Sequence, residues 1–201
     1  MEKASGKRKG IQQAEFKEQS LEQSQNEDKM KYKNPMQVPR IEKVVVNIGV
    51  GESGEKLIKA EKLLERLTQR KPIRTISKHK IPSWGLKKGD PIGCKVTLRG
   101  KEAEEFLKRG FSAVDNQISE SNFDEHGNLS FGIREYIDIP GVKYDPDIGI
   151  FGMDIAVTIE RPGYRIKRRR LKRRKIPSRN LISKEESIEF IKKKFGINIL
   201  S

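Results

Sequence analysis

Apolar and polar positions along this chain follow two rhythms. Ile41 to Val50 (IEKVVVNIGV) is a β-branched apolar run, as expected of a buried central strand. From Glu55 to Arg70 the period changes. Leu57, Ala60, Leu64 and Leu67 recur three and four residues apart with charges between them, which predicts an amphipathic helix. Lys71 to Ser77 reads as a second strand opened by Pro72, and Pro91 to Arg99 (PIGCKVTLR) as a third, stopped by Gly100. Lys101 to Phe111 returns to the helical period, with Ala103, Phe106 and Leu107 on one side. Asn128 to Tyr136 and Met153 to Glu160 are further strands, the last (MDIAVTIE) alternating cleanly. Ser183-x-x-Glu186 is a capping box, predicting a helix near 184–195 with Gly196 as its stop.

Between these elements, Ser77 to Asp90 contains Pro82, Gly85 and Gly89 and predicts a long loop or a loosely paired hairpin tip. Pro140-Gly141 and Tyr144-Asp145-Pro146-Asp147 form a turn-rich connection. The element order lacks a regular β-α-β alternation. It predicts an α+β fold, a single antiparallel-rich sheet with helices packed on one face. The other face is then left as a platform, the arrangement by which RRM sheets bind RNA. Met1 to Lys33 is rich in Gln, Glu, Lys and Ser and has few large apolar residues. It is expected to be a disordered or partly helical tail in front of one folded domain, 34–201.

Composition narrows the classes. The 201 residues carry 43 Lys+Arg against 28 Asp+Glu, a net charge of +15, and only 34% are hydrophobic. No apolar run approaches the roughly 20 residues of a membrane-spanning helix. The polar, acid-containing N-terminus reads as neither a signal nor a transit peptide. Cys94 is the only cysteine, and His79 and His126 are the only histidines. That inventory has no intrachain disulfide and no zinc-ligand spacing, and it suits a reducing cytoplasm. Cys94, inside a strand-like run, reads as a small core residue. No metal, cofactor or membrane is expected.

The charge is concentrated. Arg161, Arg165, Lys167, Arg168, Arg169, Arg170, Lys172, Arg173, Arg174 and Lys175 place ten cations in one stretch without an acid. Between Arg70 and Arg99 nine more cations face Asp90 alone. Such blocks repel themselves until an anion neutralises them, and they are the footprint of a polyanion binder. Phosphates satisfy them with release of counterions. A membrane-surface helix would need an opposite apolar face, and the tract offers only Ile166 and Leu171. A solvated, solubilising surface is the plainer alternative.

Gly49-Val50-Gly51-Glu52-Ser53-Gly54 matches G-x-G-x-x-G between a strand and a helix, the local context of a dinucleotide-binding turn. About 20 residues on, where an acid should hold a ribose, stands Arg70-Lys71-Pro72-Ile73-Arg74, which only an NADP-type site would accommodate. An NADP-dependent enzyme is therefore the second reading. A glycine-rich strand-to-helix turn is the simpler one.

Several segments in order resemble the family of large-subunit ribosomal protein five, the 5S-rRNA-binding proteins, in its archaeal and eukaryotic branch. They are Asn34-Pro35-Met36, IEKVVVNIGVGESGEKL (Ile41 to Leu57), RKPIRTISK (Arg70 to Lys78), GDPIGCKVTLRGKEAEEFLKRG (Gly89 to Gly110), GNLSFGIREYIDIPGVKYDPDIGIFGMDI (Gly127 to Ile155) and ERPGYRIKRR (Glu160 to Arg169). The resemblance implies a non-catalytic component of the large subunit, in the cytoplasm, docked on 5S rRNA in the central protuberance. Large-subunit rRNA, neighbouring ribosomal proteins, P-site tRNA and a protein of the small-subunit head are the implied partners. By matching position, 5S contacts fall on Asn47 and Thr97, with Gln69, Arg70, Arg74 and Arg99 grouped beside them. Where the family usually has Thr-Gly-Gln, this chain has Thr68-Gln69-Arg70. An arginine there could pair with phosphate instead.

The tRNA-facing loop would be Ser77 to Asp90, presenting Lys78, His79, Lys80, Trp84, Lys87 and Lys88. Arg165, Lys167, Arg168, Arg169, Arg170, Lys172, Arg173, Arg174 and Lys175 would follow rRNA phosphates. Residue chemistry agrees, since an amide or hydroxyl reads sugars and base edges where a bare cation would not. Asn47 has a second reading as a strand-end turn residue, and Thr97 as a β-propensity choice. Trp84 is either a stacking platform at the loop tip or an anchor holding the loop down.

Overall fold

The computed structural model of the protein describes residues 32 and 34–200. The expected N-terminal tail therefore lies outside the described residues apart from Tyr32. The strands are β1 (Arg40–Gly49), β2 (Ile73–Ile76), β3 (Pro91–Leu98), β4 (Gln117–Ser119), β5 (Leu129–Ile133), β6 (Met153–Glu160) and β7 (Asn198–Leu200). The helices are α1 (Glu55–Thr68), α2 (Lys101–Ser112), the single turn α3 (Arg165–Arg168) and α4 (Lys184–Phe195). Two compact units result, one comprising 39–160 with 181 onward, the other built around 161–180.

In the larger unit, five strands form one antiparallel sheet in the order β2-β3-β1-β6-β5, while β4 and β7 pair in parallel beside it. The fold is α+β, as the element order predicts. β1 is central because its alternate residues Val44, Val46 and Ile48 are fully apolar and fully buried. Cys94, Val96 and Leu98 of β3 and Ile155, Val157 and Ile159 of β6 bury the same face.

Helices α1 and α2 close that face. Leu57, Ala60, Leu63, Leu64 and Leu67 from α1 and Ala103, Phe106, Leu107 and Phe111 from α2 join one hydrophobic cluster with the strands. Phe111 stacks on Phe131 of β5 with ring centroids 5.2 Å apart, and Phe195 of α4 meets it edge-on at 5.1 Å. Gly110 lets α2 approach the sheet, since an added Cβ would stand 3.1 Å from Ile155 Cδ1. α4 starts where the Ser183 hydroxyl accepts from the Glu186 amide and stops at Gly196, whose φ is +67°.

α1 connects β1 to β2, but β3 lies between those two strands in the sheet. The result is a split β-α-β unit rather than a pair of adjacent parallel strands. The 77–90 connection is a paired extension of the β2–β3 hairpin. The Ser77 amide donates to the Asp90 carbonyl at 2.8 Å, and the Gly89 amide to the Ser77 carbonyl at 2.9 Å. Farther out, Ile81 and Leu86 exchange two backbone bonds around the turn Pro82–Trp84, with Gly85 at φ +66°.

In the smaller unit, α3 is followed by a reversal. Lys172 takes a left-handed conformation at φ +52°, and the Arg174 amide returns to donate to the Ile166 carbonyl at 3.3 Å. Tyr164 Oη donates to the Asn180 carbonyl at 2.9 Å. The side chains from Arg165 through Lys175 are exposed.

Candidate nucleic-acid interface

Residues opposite each other in an antiparallel ladder project to the same face, so the register sorts the predicted site residues. On the face that no helix of this unit covers, one row runs Ile73, Lys95, Asn47, Asp154, Gly132 across β2, β3, β1, β6 and β5. A second row runs Thr97, Val45, Ala156, Ser130 across β3, β1, β6 and β5. Asn47 and Thr97 therefore share a face, and so does Arg99, two residues beyond Thr97. Among the described residues the side chains of Asn47, Lys95 and Thr97 have no hydrogen-bond partner, which leaves their donors and acceptors available.

The rows are low and polar, mixing hydroxyls and an amide with glycine and alanine. Gly93 makes the face flat where β1, β2 and β3 meet. A Cβ there would stand 2.7 Å from the Ile48 carbonyl oxygen and 2.9 Å from Thr75 Oγ1. The charges are sparse, Lys95 and Asp154 flanking Asn47. Lys95 is a candidate that the resemblance did not supply, exposed on this face directly opposite Asn47. The signal was present in the strand PIGCKVTLR, because Lys95 stands two residues before Thr97 and period two puts both on one face.

Arg99 is partly committed. Its Nη1 donates to Glu42 Oε1 at 2.7 Å, where Glu42 is the extra residue of a bulge between Ile41 and Lys43. Arg70 and Arg74 lie elsewhere. Arg74 is the Cα partner of Cys94, whose side chain is in the core, so it projects to the helix side and forks onto Glu61 of α1. Arg70 forks onto Glu102 of α2, Nε to Oε2 at 2.6 Å and Nη2 to Oε1 at 3.0 Å. That hydrogen bond holds the Glu102 carboxyl below its ordinary range. Gln69 caps α1 in the left-handed region at φ +53° and is exposed, its amide donating to the Glu65 carbonyl at 2.7 Å. The six residues grouped around the 5S contacts thus divide between two sides of the sheet.

The hairpin tip brings Lys78, His79, Lys80, Lys87 and Lys88 together as exposed side chains. Its base is pinned, with Ser77 Oγ donating to the His79 carbonyl at 2.6 Å and Asp90 Oδ2 accepting from the Lys87 amide at 2.8 Å. Leu86 is buried beneath the tip. The Trp84 side chain lies outside the described positions, so both readings of it stand where the sequence left them.

The glycine turn after β1 does not form a dinucleotide site. Both neighbours of β1 are antiparallel to it, whereas a dinucleotide crevice needs adjacent parallel strands. The amides of Val50 and Gly51 also donate to the same Ile92 carbonyl, at 3.0 and 2.9 Å, and so face the sheet rather than a pyrophosphate.

The family model of ribosomal protein L5 matches residues 34–87, and the model of that ribosomal family's C-terminus matches 91–190. The chain belongs to the L5 family of ribosomal proteins. Its relatives include the large ribosomal subunit protein uL5 of Methanosphaera stadtmanae, 56% identical over 83% of this chain and 99% of that protein. The uL5 of Sulfurisphaera tokodaii is 57% identical over 83% of this chain and 95% of its own length, and that of Methanococcoides burtonii 51% over 83% and 98%. An L5-family chain is a structural component of the large subunit in the cytoplasmic ribosome, with rRNA and ribosomal proteins as partners, and not an enzyme. The reading as an NADP-dependent enzyme is thereby overturned, on topology and on family.

Proposed function

We propose that this L5-family protein binds 5S rRNA in the central protuberance through the helix-free face of its five-stranded sheet. The observation that carries the reading is that Asn47 and Thr97, both implied by the family resemblance, project from one face of β1 and β3, with Lys95 directly opposite Asn47 and two residues before Thr97. A flat surface of amide, hydroxyl and small side chains, poor in charge, suits ribose hydroxyls and base edges of an RNA element with a shallow groove. The hairpin tip extends this role toward P-site tRNA, its exposed lysines meeting backbone phosphates. The basic tract follows large-subunit rRNA as a sequence-independent anchor. Contacts toward the small-subunit head and neighbouring proteins of the protuberance complete the assignment.

Filter binding to 5S rRNA at fixed ionic strength tests it. The double variant Asn47→Ala/Thr97→Ala is expected to weaken binding about tenfold to a hundredfold, the range expected when one or two buried hydrogen bonds are removed. Arg74→Ala, on the helix side, is expected to stay within about twofold. Equal effects from the two faces, or none from the first, would refute the sheet face as the 5S site.

A further inference from the structure

The basic tract carries one residue that phosphate binding does not explain. Leu171 is 77% exposed, more than any other large apolar side chain among the described residues. It sits at the far end of a built reversal. The Arg174 amide reaches back to the Ile166 carbonyl at 3.3 Å and closes the loop. Inside it, Arg169 Nε donates to the Lys172 carbonyl at 2.8 Å, and Lys172 itself turns the chain at φ +52°. Arg170 and Leu171 project from the bend between those anchors. A flexible phosphate-binding tail requires none of these bonds, and here they hold an apolar side chain at the apex of an otherwise cationic bend.

We propose that Leu171 is an apolar wedge that inserts against an unstacked base in a non-helical segment of rRNA, with the surrounding arginines and lysines gripping the flanking phosphates. Leucine is among the side chains that enter nucleic acid between base steps, where the lost stacking is replaced by apolar contact. Charge selects RNA as the occupant. The segment from Arg161 to Lys175 has ten cations and no acid, so any surface that brings Leu171 into contact must present dense negative charge. Ile166, at the base of the reversal, is also exposed. The inference rests on the proposed phosphate role of the tract and adds a base contact to it.

The two contributions separate by salt. Each phosphate contact adds roughly 0.7–0.9 to the slope of log K against log[salt], whereas an apolar contact shifts log K without changing the slope. The experiment titrates the full-length protein onto protein-free large-subunit rRNA annealed with 5S rRNA at several salt concentrations, and maps 2′-hydroxyl acylation in each complex. Leu171→Ala is expected to lower affinity about tenfold at every salt. Its slope should equal that of the unaltered protein, and a site of enhanced acylation should disappear beside a retained footprint. Leu171→Met should restore both. Arg168→Gln/Arg169→Gln/Arg170→Gln should instead reduce the slope by about 2–3.

Affinity within twofold for Leu171→Ala with an unchanged acylation pattern would overturn the wedge. So would a lowered slope for that variant, which would mean that Leu171 only shapes the arginines. Unchanged RNA affinity with weakened capture by large-subunit proteins would overturn it in favour of a protein partner. If the unaltered protein left no footprint at the tract and the arginine variant kept its slope, the phosphate reading itself would fall, and the wedge with it.

Discussion

Arg74 Nη2 donates to Glu61 Oε2 at 3.0 Å while its Nε donates to Glu61 Oε1, tying the edge strand β2 to helix α1. The hydrogen bond from Arg74 holds the Glu61 carboxyl below its ordinary value of 4.5, with the charges of Arg74 and Lys71 acting in the same direction and burial opposing them. A carboxyl lowered in the folded state contributes stability above its unfolded pKa and loses it as pH falls through the folded value. Both partners retain solvent contact, so the contribution is small. Urea unfolding of Arg74→Ala should therefore show a small deficit at pH 7 that shrinks below pH 4.5. A deficit that grows in acid would contradict this.

Gln69 ends α1 at φ +53°, a conformation that costs a side chain with a Cβ and costs glycine nothing. Gln69→Gly is expected to stabilise the protein by about 1 kcal/mol, raising the thermal midpoint a few degrees. Differential scanning calorimetry reads the change directly, and a lower midpoint would show that the Gln69 side chain contributes more than its backbone costs.

Ser187 of α4 is fully buried, and its Oγ has no hydrogen-bond partner among the described residues. The turn at Gly127 presses on it, since a Cβ there would come within 2.1 Å of that oxygen. Removing a buried hydroxyl without a partner relieves its desolvation cost, roughly 1 kcal/mol. Ser187→Ala should raise the urea midpoint, while Gly127→Ala should lower it strongly, being strained at φ +76° as well. A destabilised Ser187→Ala protein would reveal a bridging water in the native state.

Cys94 offers a probe of the core. Burial pushes its thiol up to about 11, with the Glu61 carboxylate adding in the same direction. At pH 8 it is a protonated, covered thiol. An aromatic disulfide reagent should leave it unmodified in native protein and react at once in denaturant. Rapid native labelling would mean that β3 opens readily.

Much of the larger unit was legible because each element shows in sequence the stripe that it buries. Met153 to Ile159 alternates in sequence and alternates in burial, and the leucines of 55–68 line one face of α1. Asn47 and Thr97 came from the family resemblance instead, and only the β1–β3 register puts them on one face. No stripe fixes the side of Arg74, because Ile73-Arg74-Thr75-Ile76 is an edge strand without apolar contrast, so its parity depends on pairing with β3. Arg70 was equally opaque, since Glu102, its partner, belongs to a helix distant in sequence. The short parallel pair β4 and β7 escaped entirely. Three residues give no period, and their hydrogen-bonding partners stand far apart along the chain.

The slot that β3 fills between β1 and β2 constrains how the molecule comes into being. During synthesis β1, α1 and β2 precede it, and until β3 arrives β2 has no ladder to join, because its hydrogen bonds run to β3 alone among the strands. The hairpin carrying the lysine tip is thus also what gives β2 its place beside β3 and β1, before β5 and β6 complete the sheet from the other side. A change at that tip is therefore expected to slow the closing of this edge as well as to alter what the lysines meet, and refolding followed by stopped flow would show it.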